Sequence, residues 1–305
     1  MEKDYPRTLI EFEREFSDED ACRSYLFRLR WPEGFVCPRC QARHSIAIRR
    51  DRWRCLDCRR ETSVTAGTIF HDSKLPLQLW FHAMWQVTSQ KNGVSALGLQ
   101  RVLGLGSYKT AWMILHKLRR AMIRPGRERL HGLVEVDDAY WGGKEEDVDG
   151  RETYDKALIA VAAEADGHGI GRIRLRHVSS LNAKALHGFI GEAIEPGSTV
   201  QTDGLHAYRS LHGYVHDRRV QSRQPPGAAH LLPRVHRVIA LLKRWLMGTH
   251  QGAVDAQYLQ DYLDEFTFRF NRRTSASRGK LFYRLAQQAV QVAPTTYDGL
   301  GNHNP

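Results

Sequence analysis

Four of the five cysteines fall in two knuckles, Cys37-Pro-Arg-Cys40 and Cys55-Leu-Asp-Cys58, and nothing else in the chain limits its fold as tightly. Each pair lets one tight turn offer two sulfurs to a single ion. Two such turns make the closed tetrahedral sulfur site that Zn²⁺ takes in structural roles. The 14 residues between the pairs (41–54) sit just below the usual spacing and suit a ribbon of short hairpins. A redox-active pair is the rival for either knuckle alone, but that chemistry needs one pair, not two. Arg39, Arg43, Arg49, Arg50, Arg52, Arg54, Arg59 and Arg60 crowd the same stretch.

The chain has 305 residues, room for two or three domains and a sizeable core. Hydrophobic residues at 42% and charged residues at 26% describe an ordinary globular protein. No run approaches the roughly 18 apolar residues of a membrane span, so no membrane partner is expected. The charged start, Met1-Glu-Lys-Asp4, is not expected to be a secretory leader. Cys22 lies in a helical pattern with Leu26 and Leu29 and is expected to be a buried thiol, which fits a reducing cytoplasm.

The net charge of +11 is unevenly placed. Residues 1–130 hold 24 Lys/Arg against 14 Asp/Glu, whereas residues 131–305 hold 21 against 20. The front is a polyanion-binding surface on a nearly neutral body. A basic excess can also serve solubility alone, but beside a zinc ribbon nucleic acid is the natural partner.

Ser17-Asp-Glu-Asp20 reads as an N-cap with acids in the first turn, opening a helix to about residue 29. The expected divisions are a helical segment at 1–30, the zinc ribbon at 31–66, a helix-turn-helix-like region at 67–128, an α/β domain at 131–292 and a loose tail at 293–305. Leu77, Trp80, Phe81, Met84 and Val87 recur at helical spacing as core. A short helix over 94–102, the turn Gly104-Leu-Gly106 and a second helix over 108–122 form the helix-turn-helix candidate. It presents Tyr108, Lys109 and Thr110 where a recognition helix meets bases or phosphates, although many helix pairs never touch DNA.

Beyond a basic turn, Arg124-Pro-Gly-Arg127, the periodicity changes to strands over 133–138, 157–163, 172–178 and 198–203, with a helix near 183–194. That order predicts an α/β layer with a mixed sheet. Arg172, Arg174 and Arg176 alternate with Ile173, Leu175 and His177, so one face of the third strand is cationic, either solvated or lining a DNA groove.

Two aspartates end two different strands. Alternation puts Glu135 and Asp137 on one face and Val134 and Val136 on the other, while Asp203 closes Val200-Gln-Thr-Asp203. Carboxylates at adjacent strand ends can share Mg²⁺ ions for phosphoryl transfer, and they are also ordinary turn residues.

Four segments carry a family likeness: Val134-Glu-Val-Asp-Asp-Ala-Tyr-Trp-Gly-Gly143, Thr202-Asp-Gly-Leu-His-Ala-Tyr208, Leu241-Leu-Lys-Arg-Trp-Leu-Met-Gly-Thr-His250 and Tyr262-Leu-Asp-Glu-Phe-Thr-Phe-Arg-Phe-Asn-Arg-Arg273. Over roughly residues 10–290 the chain resembles zinc-ribbon, DDE-type transposases of bacterial insertion sequences. The resemblance implies an RNase H-like catalytic domain behind an N-terminal zinc ribbon, with Asp137 and Asp203 as the first two acids of its triad. It further implies structural Zn²⁺, catalytic Mg²⁺ or Mn²⁺, and double-stranded DNA partners (terminal inverted repeats and target). A homo-oligomer on DNA in a bacterial, nucleoid-associated cytoplasmic setting is expected.

The third position departs from the pattern. The family places Glu or Asn on a helix seven residues before a Lys-Arg pair. Here that pair is Lys243-Arg244, and His236 stands seven residues earlier. Spacing of seven sets His236 and Lys243 on one helix face. Neutral imidazole adds no negative charge and suits softer ions than Mg²⁺. The readings are a working Asp-Asp-His site, a catalytically impaired DNA-binding regulator, a merely structural His236, or a third carboxylate from Asp264 or Glu265. Lys243, Arg244, Asn271, Arg272 and Arg273 are expected to contact DNA backbone or to hold helices together.

Overall fold

The computed structural model describes residues 5–49, 51–124, 126–143, 156–220, 231–297 and 299–300. The chain divides into two units, one of Met1–Arg124 with Thr274–Leu300, the other holding Pro125–Arg273.

The first unit opens with α1 (Leu9–Glu15) and α2 (Glu19–Arg30), capped by Thr8 and Asp18. The cap of α2 is one residue later than the expected Ser17, because the Asp18 carboxylate accepts the Ala21 N–H at 2.8 Å. Strands β1 (Ser45–Arg49), β2 (Arg52–Cys55) and β3 (Glu61–Ser63) make a three-stranded antiparallel ribbon. Trp53 of β2 packs on Phe27 (4.5 Å between ring centroids) and on Trp31 (5.8 Å), anchoring the ribbon to the end of α2.

Helix α3 (Leu77–Ser89) has no cap of its own beyond Pro76. Glu19 of α2 supplies one, accepting the Leu77 and Gln78 N–H groups at 2.8 and 3.1 Å. Helices α4 (Ala96–Leu103) and α5 (Tyr108–Arg120) follow as the expected pair. Gly104 ends α4 in the left-handed conformation (φ +61°), which a side chain would strain, and the Ser107 hydroxyl caps α5 through the Thr110 N–H.

The second unit is a five-stranded mixed sheet. Its members are β4 (Leu133–Trp141), β5 (Ala157–Asp166), β6 (Gly169–Val178), β7 (Thr199–Thr202) and β8 (Val215–Arg218), in the order β6-β5-β4-β7-β8. Strands β4, β5 and β6 run antiparallel, whereas β7 and β8 add in parallel on the other side of β4. This is the mixed α/β sheet expected of an RNase H-like domain, with β8 the strand the sequence patterns did not reveal.

Strand alternation sorts the core. Val134, Val136, Ala160, Ala162 and Val200 pack with α6 (Ala183–Ala193) on one face. Ala139, Trp141, Ile159, Val161, Ile173 and Leu175 pack with α7 (Pro233–His250) and α8 (Leu259–Phe270) on the other. Burying each large apolar side chain contributes about 1.5–3 kcal/mol. Glu135 and Asp137 belong to the α7 face. The exposed edge of β6 is closed by side chains: Asn271 pairs with both backbone groups of Ile173 (2.8 and 3.2 Å), and Gln260 accepts the His177 N–H.

The chain then returns to the first unit as α9 (Arg278–Ala289), where Phe282 joins Phe12, Phe16, Tyr25, Phe81 and Trp85 in one aromatic core. Residues 274–292, expected with the α/β domain, thus belong to the N-terminal unit.

The cationic strand face is engaged internally. Arg172 grips Glu164 through its Nε (2.9 Å) and Nη2 (2.8 Å), while Arg174 is buried and donates to the Ile173 and Glu128 carbonyls. Arg176 pairs with Glu192 of α6. Burial works against the Glu164 carboxylate, but Arg172 and the N–H groups of His131 and Arg172 hold its pKa at about 2 against an ordinary 4.5. A depressed folded pKa stabilises above the unfolded value and is lost as pH falls through the folded one. Thermal melts should therefore lose stability between about pH 4.5 and 2, and Glu164→Gln should flatten that acid limb; an unchanged acid profile would refute the assignment.

Candidate active site and metal centre

The two cysteine knuckles share one geometry. Gln41 and Arg59 donate their N–H groups to the Cys37 and Cys55 carbonyls, and both take φ of +63°. The sulfurs of Cys37, Cys40, Cys55 and Cys58 all lie within 4.8 Å of one another. Burial opposes ionisation of Cys37, but the backbone N–H groups of Cys40 and Arg39 and the neighbouring thiols bring it down to about 6. Four converging sulfurs suit structural Zn²⁺.

On the sheet, β4 and β7 pair in parallel with Leu133 opposite Thr199 and Glu135 opposite Gln201. Continued past the last paired residues, the same offset reaches from Asp137 to Asp203, which follows the end of β7. Asp137, expected at a strand end, is instead the fifth of the nine residues of β4 and pairs with Val161 of β5, because β4 runs on to Trp141. Asp203 also orders its own turn, its Oδ1 accepting the Leu205 N–H at 2.9 Å. The buried Thr202 hydroxyl beside it contacts His216 Nε2 at 2.9 Å.

Helix α7 brings the third group. His236 Nε2 lies 3.1 Å from Asp137 Oδ2, with the imidazole about half exposed and the carboxylate mostly covered. Of the three expected ligands the contact seen joins His236 to Asp137; among the described residues the group of His, Cys, Asp and Glu drawn together closely enough to hold an ion is the cysteine cluster. Asp264 and Glu265, the other candidates for a third acid, are buried in α8, where Gln260 donates to Asp264 at 2.8 Å and Arg269 lies 3.6 Å from Glu265.

Glu135 is the residue that pattern reading passed over. It is 1% exposed, and its carboxylate accepts the N–H groups of Arg234 (2.7 Å) and Val235 (2.9 Å) and the Arg234 guanidinium (2.9 Å). Its alternation with Asp137 on one strand face was the available signal.

The expected DNA contacts divide. Lys243 and Arg244 are exposed on α7, as are Tyr108 and Lys109 at the start of α5. Arg272 stacks on Phe268 and donates to its carbonyl, and Arg273 stacks on Phe270 and donates to the Gly171 carbonyl. These two therefore hold the second unit together. The tail expected to be loose instead packs on α5: Tyr297 lies under the Lys109 ammonium (3.9 Å), and Arg120 donates to Thr295 and to the Gly299 carbonyl. The tail beyond residue 300 is outside the described residues. His116 and Arg119 of α5, both buried, face each other at 3.2 Å.

Residues 129–271 match the family model described as ISXO2-like transposase domain, and residues 17–61 match the transposase zinc-ribbon domain. The two matches mark the chain as a transposase. It belongs to the zinc-ribbon, DDE-type transposases of insertion sequences. A Halobacterium salinarum protein described as "Uncharacterized protein in transposable element ISH50" is 28% identical over 213 residues, spanning 64% of this chain and 71% of that protein. Among solved structures, a simian T-cell lymphotropic virus intasome bound to PP2A regulatory subunit B56 gamma gives 14% identity and a TM-score of 0.32 over 61% of this chain and 70% of that one. A pre-cleavage Mos1 transpososome gives 13% and 0.27 over 71% and 79%. Likeness that slight supports nothing about chemistry or assembly.

Elemental analysis should find about one Zn²⁺ per chain in the ribbon, lost in Cys55→Ser. Full zinc content in that variant would rule out the four-sulfur site.

Proposed function

We propose that the protein is a transposase that cleaves and transfers DNA strands at the ends of its own insertion sequence, using a divalent metal site of Asp137, Asp203 and His236. The carrying observation is the 3.1 Å approach of His236 to Asp137, on the strand that pairs in parallel with β7, the strand leading into Asp203. The three side chains would hold Mg²⁺ or Mn²⁺, which when bound supplies activation of the attacking oxygen and stabilisation of the leaving one. Asp137 and Asp203 contribute the negative charge, and His236 fixes the site from the α7 side. Lys243, seven residues along α7 and exposed like His236, and Arg244 beside it meet the DNA backbone.

The basic front of the chain supports DNA as the partner. In this reading the zinc ribbon and the α4–α5 pair, led by Tyr108, Lys109 and Thr110, bind terminal inverted repeats. Cutting two ends together requires an oligomer on DNA, working in the cytoplasm at the nucleoid. Arg174 is buried and so lies outside the proposed DNA surface, while Arg172, Arg272 and Arg273 are held by internal hydrogen bonds.

One observation favours a second reading. A histidine stands where a carboxylate is expected and brings no negative charge to the site, so the chain would be a transposase-derived regulator that binds element ends without cutting them.

Cleavage assays on element ends separate the two. Asp137→Asn should abolish cutting while end binding stays near wild type; equal loss of both would defeat the role assigned to Asp137. Wild type should cut better with Mn²⁺ than with Mg²⁺, and His236→Glu should raise the Mg²⁺-to-Mn²⁺ activity ratio. Tight binding with no cutting in either ion would establish the regulator.

A further inference from the structure

A carboxylate buried to 1% exposure beneath a helix must have its charge answered, and Glu135 has three donors, all from the first turn of α7. Two are the backbone N–H groups of Arg234 and Val235, which begin a helix whose N-cap, Leu232, has no side-chain hydrogen bond to offer. The third is the Arg234 guanidinium, whose remaining nitrogens donate to the Gly167 and Gly169 carbonyls (both 2.9 Å) at the turn between β5 and β6.

The clamp therefore joins one strand, one helix start and one hairpin turn. His236 is the next residue of α7 after the pair it holds, and Asp137 is the next residue of β4 on the face that carries Glu135. Fixing residues 234 and 235 on residue 135 sets residue 236 against residue 137, which is the observed 3.1 Å contact.

We infer that Glu135 is a positioning residue that seats His236 in the metal site by capping α7 from the neighbouring strand. This rests on the metal site proposed above. Glu135 does not touch the ion; it fixes the register between helix and strand. Outer groups that orient a ligand typically change metal affinity by about 10–100-fold when removed.

The test is Mn²⁺ binding to the zinc-loaded full chain, followed by electron spin resonance for affinity and by electron spin-echo modulation for nitrogen coordination. Wild type should show imidazole nitrogen modulation that is absent in His236→Ala, and no Mn²⁺ should be held at this site in Asp137→Asn. Glu135→Gln should weaken Mn²⁺ binding by about 10–100-fold and lose the nitrogen modulation, with the circular dichroism of the folded chain retained. Should Glu135→Gln fail to fold, Glu135→Asp keeps the charge but draws it back from the helix, and should give the same loss. Either variant, folded, with wild-type affinity and nitrogen signal overturns the inference. Mn²⁺ binding that survives both Asp137→Asn and His236→Ala instead removes the metal site itself, and with it any role for Glu135 there.

Discussion

A buried charge governs the second unit. Glu135 lies on the central strand of the sheet, where isolated ionisation would cost several kcal/mol. Its partners come from a helix roughly a hundred positions later in sequence, so the carboxylate is comfortable only when strand, helix and hairpin are all in place. A negative charge at a helix N-terminus is further favoured by the helix dipole, by up to about 2 kcal/mol in partly buried settings. The first unit uses the same device, since Glu19 of α2 caps α3. In both units a side chain from one element decides where another begins.

The sheet gives this clamp its consequence. β4 is hydrogen-bonded on both sides, antiparallel to β5 and parallel to β7, so its two faces and its end are fixed independently. One face feeds the α6 core and the other the α7–α8 core. Acids placed on the second face then emerge beside the helix that covers it.

Much of this was legible in the sequence. The cysteine knuckles, the strand alternation around Val134 and Val136, and the paired helices about Gly104 were readable because local periodicity and backbone geometry dictate them. The family likeness, through its spacing from Lys243, led to His236, which lies 3.1 Å from Asp137. What could not be read was long-range. Strand β8 is four residues long and lies at the sheet edge, too short for periodicity to reveal. Arg172 and Arg174 looked like a binding face because alternation reports which side a residue takes, not which acceptor waits there. Glu164 and the Glu128 carbonyl were those acceptors. Likewise nothing local in residues 278–289 says that Phe282 completes an aromatic core begun by Phe12 and Phe16.

The sulfur cluster carries one more consequence. Cys37 lies 3.5 Å from Cys58 and Cys40 lies 3.6 Å from Cys55, so each thiol has a near neighbour on the opposite knuckle. A ribbon stripped of its ion in an oxidising medium is therefore open to cross-links between hairpins as well as within them. Such staples would keep the ribbon closed while barring the ion's return, which makes reductant, and not only zinc supply, a condition for recovering the native front of the molecule.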